Sequence, residues 1–158
     1  MKRSVVRLVL AAVAALTLLT TFAGGALAQS GHFVGTPTCR DAGTTVECTG
    51  KVAGLGSTTF EITVDAEGTA SVECANPAGN VAPGQSFTFD AAGTTGTLPT
   101  PRNGQFRFGV GTTAPTAPAG SCPNPMWTAT VVDVEFGDAT ITLLEGGVVS
   151  DTITVPVT

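Results

Sequence analysis

The sequence predicts an all-β fold, an antiparallel β-sandwich of roughly seven to nine short strands held by two disulfides. Three observations carry that expectation. Apolar residues recur at every second position, most clearly in MWTATVVDVEF, ATITLLE and VVSDTITVPV between Met126 and Val157. This period suits strands with one face on a core and the other in water. Past residue 28 the chain holds 24 Thr, 18 Gly and all ten Pro, a balance that favours strands and turns over helices. Four cysteines, Cys39, Cys48, Cys74 and Cys122, complete the pattern of a small stapled sheet protein.

Residues 1–28 read as a secretory signal peptide and are set apart from the fold. Lys2, Arg3 and Arg7 precede an apolar run from Leu8 to about Phe22, and Ala26-Leu27-Ala28 supplies a small-x-small cleavage site. A retained membrane anchor fits less well, because the run is short for a full span and the cleavage site follows it directly. Residues 29–158 then form one domain, long enough for one core and hardly for two. Cleavage leaves Arg40, Lys51, Arg102 and Arg107 against all twelve acidic residues, a formal charge of −8. Such a surface repels nucleic acid and anionic lipid.

The elements follow in order. Phe33 and Val34 begin an edge strand. In TVECTGKVAG, Val46, Cys48 and Val52 share a face, and Ala53-Gly54-Leu55-Gly56 makes a corner. Thr58 to Val64 is a strand with Phe60, Ile62 and Val64 inward; Asp65-Ala66-Glu67-Gly68 reads as a turn into a returning strand, Thr69 to Cys74. Residues 75–85, ANPAGNVAPGQ, are a loop. Ser86 to Ala91 alternates about Phe87 and Phe89, and Thr94 to Leu98 extends it. Asn103-Gly104 suits a type I′ turn feeding a strand from Gln105 to Gly111. GTTAPTAPAGSCPNP is a surface loop pinned at Cys122; as an interdomain linker it would leave only 33 residues beyond it. Trp127, Ala129 and Val131 share one parity and Val132, Val134 and Phe136 the other, which a β-bulge at Val131-Val132 would reconcile. Gly137-Asp138 and Gly146-Gly147 then read as hairpin turns of a three-stranded meander.

For the cysteines, pairing Cys39 with Cys48 and Cys74 with Cys122 is favoured among three connectivities. The first bridge closes a hairpin and the second a long loop, worth about 2.5–3 and about 4 kcal/mol in the loop-entropy account. Zinc is unattractive, since the spacings of 9, 26 and 48 contain no C-x₂-C pair. No catalytic or cofactor-binding residue emerges. His32, the sole histidine, stands near the expected mature N-terminus, where a flexible tail is the default. No serine lies in G-x-S-x-G, and no phosphate loop is present. Asp133, Glu135 and Asp138, and separately Asp65 and Glu67, read first as solvated turn residues. A weak calcium site or a glycosidase pair is the alternative for them, and metal binding stays open. Trp127 is expected in the core rather than as an exposed anchor beside Pro125 and Met126.

Ala53-Gly54-Leu55-Gly56, Val72-Glu73-Cys74, the Asn-Pro-Ala-Gly-Asn loop at 76–80, Phe87-Thr88-Phe89, Cys122-Pro123 and the Val-rich strand after it together resemble a known group. They look like uncharacterised small secreted proteins of high-GC Gram-positive bacteria such as streptomycetes. The resemblance implies no activity and transfers no catalytic residue; such relatives often carry four cysteines. The functional expectation is a secreted, non-enzymatic surface or extracellular protein, structural or partner-binding through its loops. Its partner would be an extracellular protein or a cell-wall component, with no nucleic acid and no membrane span once the signal is cleaved. The alternative is a small extracellular hydrolase using an Asp/Glu pair.

Overall fold

The computed structural model describes residues 31–158. The predicted signal peptide lies outside the described residues. Among them are ten strands: β1 (His32–Phe33), β2 (Thr38–Asp41), β3 (Val46–Ala53), β4 (Thr59–Ala75), β5 (Val81–Pro83), β6 (Phe87–Thr94), β7 (Leu98–Pro99), β8 (Phe106–Gly111), β9 (Thr128–Glu145) and β10 (Val148–Pro156). In one sheet β3 carries β1 and β2 on one edge and β8 on the other. In the second, β4 carries β9 on one edge and β7, β6 and β5 in succession on the other, and β10 follows β9. All strand-to-strand ladders are antiparallel, and short connections join β2 to β3, β4 to β5 and β9 to β10 as hairpins.

The two sheets meet face to face because their inward rows are apolar. Val46, Val52, Phe108 and Val110 from the smaller sheet oppose Phe60, Ile62, Val64, Ile141 and Leu143 from the larger, all buried. Within the larger sheet Ile62 sits opposite Leu143, and Val64 opposite Ile141. Fully burying one such side chain contributes about 1.5–3 kcal/mol. The sheets are also joined along both sides. Thr113 N–H donates to Ala92 C=O at 3.1 Å, while Asp41 N–H donates to Thr158 C=O at 3.1 Å and Thr158 N–H to Cys39 C=O at 3.2 Å. Gly93 is needed at the first join, because a Cβ there would lie 2.3 Å from the Gly111 carbonyl oxygen.

The larger sheet extends past the smaller one, and here the expected short strands give way to two long ones. The predicted turn at Asp65–Gly68 is not a turn: β4 runs through it for 17 residues. Gly137-Asp138 is not a hairpin either, and β9 continues for 18 residues. The predicted meander from Met126 to Val157 is therefore one hairpin, β9 with β10, and the expected Thr69–Cys74 return strand is the end of β4. Both false turns sit at one level. Ala66 pairs with Ala139 and Gly68 with Phe136, so Glu67 alone opposes Gly137 and Asp138 in a β-bulge. Neither Gly68 nor Gly137 has the positive φ of a tight turn, whereas Gly146 (57°) and Gly147 (83°) do. Turn-compatible residues on paired strands have become a bend in the sheet.

A second bulge sits where parity changed in the sequence. Ser71 pairs with Asp133 and Val72 with Val131, leaving Val132 extra and 46% exposed. Asn103-Gly104 also turns, though not as type I′: Gly104 alone has positive φ, and its N–H donates to Pro101 C=O at 2.8 Å. His32 belongs to β1, opposite Ala53, rather than to a loose tail. Both disulfides connect as expected, Cys39 to Cys48 across directly paired positions and Cys74 to Cys122 over 48 residues.

Candidate functional site

At the far end of the larger sheet the chain at Gly84 and Gln85 meets the chain at Ser121 and Cys122, so the irregular segment that runs on to Trp127 lies beside the end of β4. The Cys74–Cys122 bridge ties that segment to β4, with the Cα atoms 5.7 Å apart. Gln85 N–H donates to Ser121 C=O at 2.8 Å and Gly84 N–H to Val72 C=O at 2.7 Å. A Cβ at Gly84 would lie 2.8 Å from Cys74 Sγ and 3.0 Å from the Ser121 oxygen. Only a residue without a side chain lets the backbone come this close. Further along, Trp127 N–H donates to Asn124 C=O at 3.0 Å and Met126 N–H to Asn124 Oδ1 at 2.9 Å. The segment is held by these contacts although it lacks regular structure.

Folded this way, the segment forms a concavity of about 470 Å³ whose lining includes Pro118, Cys122, Asn124, Pro125, Trp127 and Ala129 and no charged residue. Trp127 is half-buried at this wall, between the two placements weighed for it. At the same end Met126 is 72% and Val81 59% exposed. The hollow is uncharged, and Met126 and Val81 beside it give this end of the sheet an exposed apolar rim.

Most acidic residues lie on the larger sheet, with Asp41 and Glu47 on the smaller. Glu61, Asp65, Glu67 and Glu73 project from the outer row of β4, Asp90 from β6, and Asp133 and Glu135 from β9. Among the described residues the Lys and Arg side chains, Arg40, Lys51, Arg102 and Arg107, belong to the smaller sheet or to the turn entering it. Arg40 pairs with Glu47 across β2 and β3. The bulge brings Glu67, Glu135 and Asp138 around an open hollow of about 480 Å³ with Thr69 and Phe136, while Asp133 lies outside it. Asp65 instead shares another hollow with Glu61. Among the described residues, no group of three or more His, Cys, Asp or Glu side chains is placed to hold a metal ion.

The most constrained carboxylate is one that sequence reading missed. Glu145 is fully buried at the end of β9. Its Oε1 accepts N–H donors from Gly56 at 2.7 Å and Ser57 at 3.2 Å, and its Oε2 accepts the Gly31 N–H at 3.0 Å and the Ser150 hydroxyl at 2.8 Å. Burial is the largest single influence and pushes the carboxyl up, but the bonds from Gly56, Ser150, Ser57 and Gly31 together hold it below the ordinary glutamate value. An ionised carboxylate with both oxygens engaged is a fastener for three chain segments. It is a poor proton donor. Its signal was its parity: Ile141, Leu143 and Glu145 occupy alternate inward positions just before the Gly146-Gly147 turn.

No protein-family model matches the chain, and no curated protein or solved structure matches it significantly.

Proposed function

We propose that the chain is an exported, non-enzymatic binding protein that meets an extracellular protein or a cell-wall component with the disulfide-pinned end of its larger sheet. One observation carries this reading: the Cys74–Cys122 bridge and Gly84 hold the irregular stretch from about Ser121 to Trp127 around an uncharged hollow. A rigidly held loop loses little freedom on binding, which is what a contact surface needs. Two closed bridges support export, because disulfides persist in oxidising compartments. The resemblance to streptomycete-type secreted proteins belongs to the same proposal. Among the described residues no helix is long and apolar enough to cross a membrane.

The test is capture from the exterior medium and wall fraction of the source cells. A Met126→Asp/Val81→Asp variant should lose a partner that wild type and Asp133→Asn both retain. Equal capture by all three would overturn the assignment of the surface.

A second reading, a hydrolase, is favoured by the bulge, which draws Glu67 from one strand and Glu135 and Asp138 from the next around one hollow. All three side chains are exposed. General acid catalysis at neutral pH ordinarily relies on a carboxyl shielded from water. Release of reducing ends from wall polysaccharide, abolished by Glu135→Gln, would favour this reading over binding alone.

A further inference from the structure

We propose that Thr116 is an O-glycosylation site, with Thr113 a lesser one; the inference rests on the export reading. Thr116 stands in the run Ala114-Pro115-Thr116-Ala117-Pro118, and runs of Thr with Pro are acceptors of O-linked sugars in exported chains. The physical reason is access. A transferase must draw an acceptor backbone into its own cleft as an extended strand, and Pro115 and Pro118 bias Ala114 and Ala117 toward that conformation. From Thr112 to Pro118 the chain belongs to no strand or turn, and among the described residues Thr116 makes no hydrogen bond through backbone or hydroxyl. Pro115 and Ala117 are half-buried while Thr116 is exposed, so its hydroxyl points away from the hollow that Ala117 helps to line.

The neighbouring threonines differ in ways that make the site specific. Thr112 is buried and its Oγ1 accepts the Val46 N–H at 2.9 Å, which withholds it from any enzyme. Thr113 is exposed but its N–H is tied to Ala92 C=O. Thr38 and Thr49, and likewise Thr140 and Thr154, lie on paired strands with hydroxyls 3.3 and 3.2 Å apart. Thr36, also exposed beside a proline, lies in the short connection between β1 and β2, between left-handed Gly35 and buried Pro37.

In the transfer, Thr116 Oγ1 attacks the anomeric carbon of a phosphate-activated sugar. The new C–O bond forms as the bond to phosphate breaks, the phosphate leaves with the electron pair, and the hydroxyl proton passes to the transferase's base. The experiment is intact-mass and fragment-ion spectrometry of the full chain recovered from the medium of its source cells. The expected result is an exported chain with two disulfides and whole-sugar increments, located at Thr116 before Thr113. The increment at residue 116 should vanish in Thr116→Ala and return in Thr116→Ser. An exported, bridged chain of unmodified mass, or one bearing sugar only on strand threonines, overturns this inference alone. A chain that stays inside the cell with reduced thiols overturns the export reading and this one with it.

Discussion

Replacing Glu145 by Gln preserves shape and removes charge, and the four bonds around it set the size of the effect. In its better orientation the amide oxygen still accepts from Gly56 and Ser57, and the amide NH₂ donates to Ser150 Oγ. The Gly31 N–H then faces a donor in a buried position. One stranded donor costs about 1–3 kcal/mol, and two charge-assisted bonds reduced to neutral ones cost about 1 kcal/mol more between them. Glu145→Gln should therefore lower stability by about 3 kcal/mol, and Glu145→Ala, which strands all three backbone donors, by about 4–5 kcal/mol. For a domain of this size the first corresponds to a fall in Tm of about 10 °C. The pH dependence gives an independent check. Because the folded carboxyl titrates below its unfolded value of about 4.3, its contribution is complete above that pH and is lost as pH falls through the lower folded value. Urea melts from pH 7 down to about pH 3 should show wild type losing this stability in acid and Glu145→Gln lacking that part of the decline. A variant within about 0.5 kcal/mol of wild type at pH 7, with the same acid profile, would refute the fastener role.

Three other expectations follow from the same contacts. Urea denaturation should show Cys74→Ser/Cys122→Ser costing about 4 kcal/mol and Cys39→Ser/Cys48→Ser about 2.5–3 kcal/mol, since the first bridge closes the longer loop. Thermal melts should separate Gly93→Ala from Gly109→Ala. The first forces a Cβ to 2.3 Å from a backbone oxygen and should cost 2 kcal/mol or more on the order of an overpacked site, while the second meets nothing nearer than 3.9 Å and should stay within about 0.5 kcal/mol. Arg40→Ala removes an ion pair whose side chains are 70% and 48% exposed, so a double-mutant cycle with Glu47→Ala should give a coupling under about 1 kcal/mol.

Much of the sheet architecture was legible because side-chain parity is a local property. Val46, Cys48 and Val52, and Phe60, Ile62 and Val64, sit inward as their alternation requires. The Val131-Val132 bulge was readable for the same reason, and the Gly146-Gly147 hairpin from a glycine pair suited to positive φ. Strand length was not legible, because Asp65–Gly68 and Gly137-Asp138 have the composition of turns and become a bulge only when β4 and β9 lie side by side. That is a tertiary fact overriding a local preference. The site was half readable. Cys122 and the irregular segment around it were visible in the chain, whereas the loop expected over 75–85 contains β5, which pairs with the end of β4, and the close approach at Gly84 depends on Ser121, 37 positions away. Glu145 escaped notice because its three backbone donors come from residues 31, 56 and 57, distant in sequence and silent in any motif.

Hydrogen exchange on the native protein and on Cys74→Ser/Cys122→Ser tests most directly whether the bridge fixes the proposed contact surface. Loss of protection confined to Gln85, Ser121, Trp127 and their neighbours, with β3, β4 and β9 amides near the core unchanged, is the predicted outcome. Equal protection of the segment with and without the bridge would contradict it.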